Sequence, residues 1–119
     1  MMARQCLLLA AMMAALLLML DEASAEENGI AAVYSYRGGK TSSGEHSNPG
    51  GLTAAHRSLP FGMKVRVTNR RNGRSVVVRI NDRGPYSKGR IIDVSFAAAR
   101  ALDMIDAGVV PARVEVIGR

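Results

Sequence analysis

The segment that most limits the fold runs from Met63 to Asn81. In Met63-Lys64-Val65-Arg66-Val67-Thr68-Asn69 apolar and polar residues alternate, so Met63, Val65 and Val67 share one face while Lys64, Arg66 and Thr68 share the other. That is the period of a strand with one wet side. A second strand-forming run, Arg74 to Asn81, follows after Arg70-Arg71-Asn72-Gly73. Asn-Gly between two such runs predicts a hairpin, because both residues accept positive φ. Three further runs read as strands: Gly29 to Tyr36, Arg90 to Ser95 and Ala112 to Ile117. Ser95 is a good helix N-cap, and Phe96, Ala99 and Leu102 then recur at the spacing of one helical face. Gly108 and Pro111 are expected to break the chain before the last strand. Many short strands with one or two small helices predict a mainly β protein closed into a barrel.

The N-terminus is expected to contribute nothing to that barrel. Arg4 precedes an apolar run from Cys6 to Leu20, and Ala23-Ser24-Ala25 supplies a small-x-small cleavage pattern. The run is 15 residues long, short of the ~20 a spanning helix needs. The reading is a secretory signal cut after Ala25, leaving one domain over residues 26–119. Cys6 stands before the apolar run, so a lipid anchor is not expected. From Glu26 onward the chain has no cysteine, and its core alone must hold it together. Without Arg4, Asp21 and Glu22 it carries 15 basic and 8 acidic residues, a net +7. In an exported protein that charge suits the anionic polymers of a cell envelope better than nucleic acid, although individual Lys and Arg also serve solubility.

Between the first two strand runs lies Arg37 to Gly51, rich in glycine and serine and too polar for a core. A loop this long in a small domain is usually functional or mobile. No nucleophilic-serine motif, phosphate-binding loop or mature cysteine is present, and His46 and His56 lack metal-ligand spacing. The polar residues left at strand and loop ends are Glu45, His56, Asp82 and Asp93. Carboxylates with a histidine, used without metal or cofactor, are equipment for acid–base chemistry on sugars. Each also has a plainer reading: Asp82 as acceptor for turn amides, Asp93 as partner of backbone or a buried arginine, His56 as half-buried, Glu45 as solvated.

The motifs Thr41-Ser42-Ser43-Gly44-Glu45, Leu52 to Gly62, Val65 to Asn69 and the long block Asn72 to Leu102 resemble the rare lipoprotein A family. These are septal lytic transglycosylases built on a double-psi β-barrel, with expansins as distant relatives. The resemblance runs from Gly29 to about Ile117. It implies a six-stranded barrel in which two loops cross like the letter psi. It also implies non-hydrolytic cleavage of peptidoglycan glycan strands between N-acetylmuramic acid and N-acetylglucosamine, leaving a 1,6-anhydro end.

Matched to the family's motifs, Asp82 is the expected central acid/base, with Glu45 and His56 as its catalytic companions. Shielding at a strand end is expected to raise the Asp82 pKa. The Arg83 side chain is expected to point away from Asp82 and, with Tyr34 and Tyr86, to contact substrate. The three catalytic candidates are expected to line one open groove, with Asp82 more shielded than Glu45. Val33 stands where the family often carries tryptophan. The overall expectation is a monomeric, periplasmic lytic transglycosylase acting on glycan strands, without a stable membrane anchor or nucleic-acid partner. A non-catalytic, expansin-like glycan-binding or wall-loosening module is the alternative.

Overall fold

The computed structural model describes residues 26–36 and 38–119; the signal-peptide reading lies outside the described residues. Six strands and one helix follow in the order β1 (Glu26–Val33), β2 (Thr53–Ala55), β3 (Lys64–Asn69), β4 (Ser75–Asp82), β5 (Arg90–Val94), α1 (Phe96–Ala101) and β6 (Val109–Gly118). The strands close into a barrel in the order β1-β5-β2-β4-β3-β6. Two neighbouring pairs, β1 with β5 and β2 with β4, are parallel, and the others are antiparallel. This is the double-psi arrangement. Closure leaves no exposed sheet edge, which a barrel of short strands needs if it is not to pair with other chains.

Alternation puts Val65 and Val67 of β3, Val78 and Ile80 of β4, Ile92 and Val94 of β5 and Val110, Ala112 and Val114 of β6 inside. Ala98, Ala99, Leu102 and Met104 join them from the helix and the turn after it. β1 adds small residues where space is tight: a Cβ on Gly29 would lie 2.6 Å from Ile91 Cγ2.

Four expectations need correcting. Gly73 takes a φ of 77°, but Asn72 does not take a positive φ. Its side chain instead accepts from Arg74 N at 2.9 Å and donates to Leu102 O at 3.1 Å, tying the hairpin to the helix end. Thr68, expected on the wet face, is buried, and the neighbouring Asn69 is buried with its Nδ2 also donating to Leu102 O, at 2.9 Å. Phe96 is exposed; Ala98, Ala99 and Leu102 form the packed face, and the Phe96 ring lies against Tyr36, centroids 6.5 Å apart. Pro111 sits inside β6 opposite Ile30. Pairing of β3 with β6 starts at Ala112, and toward that side Pro111 offers only its carbonyl, which accepts from Arg70 N at 2.9 Å. Ser95 caps α1 as expected, accepting from Ala98 N.

The connections hold one another. Arg57, just after β2, donates to the carbonyls of Pro85 (2.5 Å) and Ser87 (2.9 Å) in the β4–β5 connection and of Arg90 (3.0 Å) at the start of β5. Arg83, just after β4, donates to the carbonyls of His56 (3.2 Å) and Leu59 (2.8 Å) in the β2–β3 connection and stacks on Phe61 at 4.0 Å. Each loop is stapled by an arginine from the other.

Candidate functional site

Asp82 ends β4, where strict alternation would turn it inward beside Val78 and Ile80. The register of β4 against β2 jumps from Ile80 to Asp82, leaving Asn81 unpaired. Such a bulge re-aims the next side chain. The Asp82 carboxylate then meets three donors: the Tyr34 hydroxyl at Oδ2, and the backbone amides of Ser42 and Arg83 at Oδ1, both at 2.9 Å. Burial pushes the carboxyl pKa up, but these donors outweigh it, and the net result lies below the ordinary aspartate value. The expected upward shift is therefore overturned: shielding is present, yet the anion is the better-bonded form. The same contact acts on Tyr34, where burial and the hydrogen bond to Asp82 push the phenol up to about 12.

The polar loop lies along β4. Ser42 N reaches Asp82, and Ser43 N donates to Asn81 O at 3.2 Å. Glu45 is held by a two-pronged pair with Arg79, at 2.6 and 2.7 Å. That bond, joined by the Ser43 hydroxyl, outweighs desolvation and keeps the Glu45 carboxyl below its ordinary value. The loop thus brings Glu45 to Arg79 of β4 and Ser42 to Asp82 at the end of the same strand, and Asp82, at 9% exposure, is more shielded than Glu45, whose side chain is 41% exposed.

His56 departs from the expected common groove. Its amide donates to Asp82 O at 3.1 Å, so the backbones are adjacent, but the imidazole turns elsewhere. Nδ1 accepts from Ser58 N and Leu59 N, both at 3.1 Å, which leaves the ring proton on Nε2, 3.2 Å from Glu27 Oε1. Two backbone donors on one ring nitrogen fix that tautomer. The ring lines a pocket shared with Glu27, Leu59, Val114 and Val116, away from Asp82 and Glu45.

Arg83 points away from Asp82, as its position next along the chain requires, and its guanidinium is committed to the loop carbonyls. Tyr86 is 77% exposed. Tyr34 packs edge-on against Tyr36, centroids 4.9 Å apart. Asp93 pairs with Arg90 at 2.5 Å, and its burial outweighs that bond, raising its pKa. Sequence reasoning missed Arg79, Glu27 and Ser42, the partners of the three candidates. Arg79 alone gave a sign, as a charge interrupting an apolar strand.

A family model described as lytic transglycolase matches residues 26–114. The probable endolytic peptidoglycan transglycosylase RlpA of a Nostoc strain is 62% identical over 95 residues, covering 76% of this chain and 26% of that protein. Across such relatives the chain spans about a quarter to two-fifths of their length, from 26% to 39%. Among solved structures, a Streptomyces papain inhibitor matches with TM-score 0.63 and 23% identity, covering 77% of this chain and 94% of that one. An expansin of Clavibacter michiganensis matches with TM-score 0.63 and 23% identity, covering 77% of this chain and 50% of that one. These last two share the fold. The family match and the Nostoc relative establish the lineage: the chain belongs to the lytic transglycolase family of double-psi β-barrels.

Proposed function

We propose that the barrel is the catalytic unit of an exported enzyme that cleaves peptidoglycan glycan strands between N-acetylmuramic acid and N-acetylglucosamine. The observation that carries this reading is the Asp82 carboxylate, re-aimed by a bulge at a strand end and held by the polar loop that also carries Glu45 to the same strand. In the reaction the bond from the muramic anomeric carbon to the glycosidic oxygen breaks, and a bond to its own 6-oxygen forms. The 6-hydroxyl proton ends on the departing oxygen, and no water is consumed. Asp82 is the group proposed to carry that proton. Its resting ionisation suits the base step, taking the proton from the 6-hydroxyl as the ring closes. Glu45, held ionised by Arg79, supplies negative charge beside the developing oxocarbenium character of the sugar. His56 is proposed to support the site through its fixed tautomer. Tyr86 offers an exposed ring to a sugar face, and Arg83 borders the same turn. The protein acts as a monomer outside the inner membrane, after cleavage behind Ala25.

One observation favours the non-catalytic reading: both carboxylates are held ionised, so the resting site has no protonated carboxylic acid among Glu45 and Asp82. A single assay separates the two. Protein beginning at Glu26 is incubated with purified peptidoglycan and with amidase-stripped strands, and products are read by mass spectrometry. Anhydro-muropeptides that disappear with Asp82→Asn support the enzyme. Their absence on both substrates, with retained glycan binding, establishes the binding module instead.

A further inference from the structure

We propose that Tyr34 is a positioning residue for Asp82, its phenol fixing the carboxylate while its ring is spent on packing rather than offered to a sugar. The inference rests on the reading of Asp82 as the reacting group. It assigns Tyr34 a different role from the stacking platform expected from sequence.

Three observations carry it. The hydroxyl donates to Asp82 Oδ2, whereas Oδ1 takes both backbone amides, so Tyr34 alone holds the second carboxylate oxygen, with the Ser42 side chain adding a weaker contact. The ring is braced: it packs edge-on against Tyr36, whose hydroxyl accepts from Phe96 N at the start of the helix, at 3.3 Å. Tyr34 also follows directly on β1, its amide bonded to Val94 O at 2.8 Å, so its backbone is held by the barrel. A group that bonds a reacting side chain and is itself oriented by a third contact is how positioned acids and bases are built.

Other charged groups near Asp82 are engaged elsewhere. Glu45 and Arg79 pair with each other, the Arg83 guanidinium binds the carbonyls of His56 and Leu59, and the His56 ring binds Glu27. The Tyr34 bond is therefore the largest side-chain contribution to Asp82, ahead of that of Ser42.

The test uses Tyr34→Phe, which keeps the ring and removes the hydroxyl. Carboxyl-carbon NMR titration of the purified protein, with Asp82 assigned by its loss in Asp82→Asn, needs no substrate. The Asp82 midpoint should rise by about one pH unit, since one hydrogen bond to a charged group is lost, while Glu45 stays put. The coupling is reciprocal, so tyrosinate absorbance of Asp82→Asn should show Tyr34 ionising at lower pH than in the wild type. That second measurement serves if the Phe variant does not fold. Where glycan cleavage is measurable, the acidic limb of its pH profile should move with the Asp82 midpoint while KM changes less than about twofold. An unmoved Asp82 midpoint in folded Tyr34→Phe, or an unmoved Tyr34 titration in Asp82→Asn, overturns the proposal. A KM defect with an unmoved pH profile also overturns it, in favour of sugar contact. If the NMR shifts appear but no glycan is cleaved, the positioning stands and the enzymatic reading falls.

Discussion

Replacing Asp82 by asparagine preserves shape and removes charge, and the structure allows its cost to be worked out. The carboxylate accepts three hydrogen bonds, from the Tyr34 hydroxyl and the Ser42 and Arg83 amides. A bond to a charged group is worth about 1.5–3 kcal/mol against about 0.5–1.5 for a neutral one, so three bonds lose roughly 3 kcal/mol together. Burial works in the opposite direction, since a neutral amide is cheaper to desolvate at a residue only 9% exposed. The net loss should be about 1–2 kcal/mol near neutral pH, lowering Tm by roughly 4–16 °C for a domain of this size. The sign with pH follows from the lowered folded-state pKa. The stabilisation is fully present above the unfolded aspartate value of about 3.9 and is lost as pH falls through the folded one. Thermal denaturation followed by circular dichroism at neutral and strongly acidic pH measures both. An Asp82→Asn protein as stable as wild type at neutral pH, or a difference that persists unchanged into acid, would refute the claim that these donors favour the anion.

Three other substitutions probe different parts of the barrel. Gly29→Ala should cost about 1–3 kcal/mol in urea denaturation, because the new methyl would stand 2.6 Å from Ile91 Cγ2 and 3.1 Å from Gly89 O. Ser95→Ala should cost about 1–2 kcal/mol, since the hydroxyl caps α1 at Ala98 N (3.2 Å) and also accepts from Thr53 N (3.4 Å) in the barrel wall. Arg79→Met should change stability by less than about 1 kcal/mol, because the pair is 40% and 41% exposed. It should nevertheless raise the Glu45 titration midpoint in carboxyl NMR, and any lost stability should be fully present above the unfolded glutamate value, about 4.3, and vanish as pH falls through the lower folded one.

What could be read from sequence was what local pattern encodes. The β3–β4 hairpin, β5 and the Ser95 cap were legible because alternation and capping act over a few residues. β2 is three residues long, too short for any period, and was implied only by the resemblance to a six-stranded family. Phe96 misled because helical spacing does not say which neighbours are present, and Ala98 and Ala99 turned out to be the close-packed side. At the site, residue types were legible and their partners were not. Arg79 lies 34 residues from Glu45, Tyr34 lies 48 from Asp82, and Glu27 lies 29 from His56. Those contacts exist only once the parallel pairs have formed. The direction of the Asp82 pKa failed for the same reason: burial was foreseeable from a strand end, but two of the three opposing donors, Tyr34 and Ser42, come from distant segments.

The position of β1 has a bearing on how the protein is made. Its neighbours are the last two strands: Ile30 faces Arg90 on one side and Pro111 on the other. At about 5–20 residues per second, Arg90 leaves the ribosome roughly 3–12 s after Ile30, and until then the first strand has nothing to pair with. No shorter prefix of the chain can close the barrel. A polypeptide wired in this order cannot close its barrel until it is nearly complete, a delay that suits the export proposed for it.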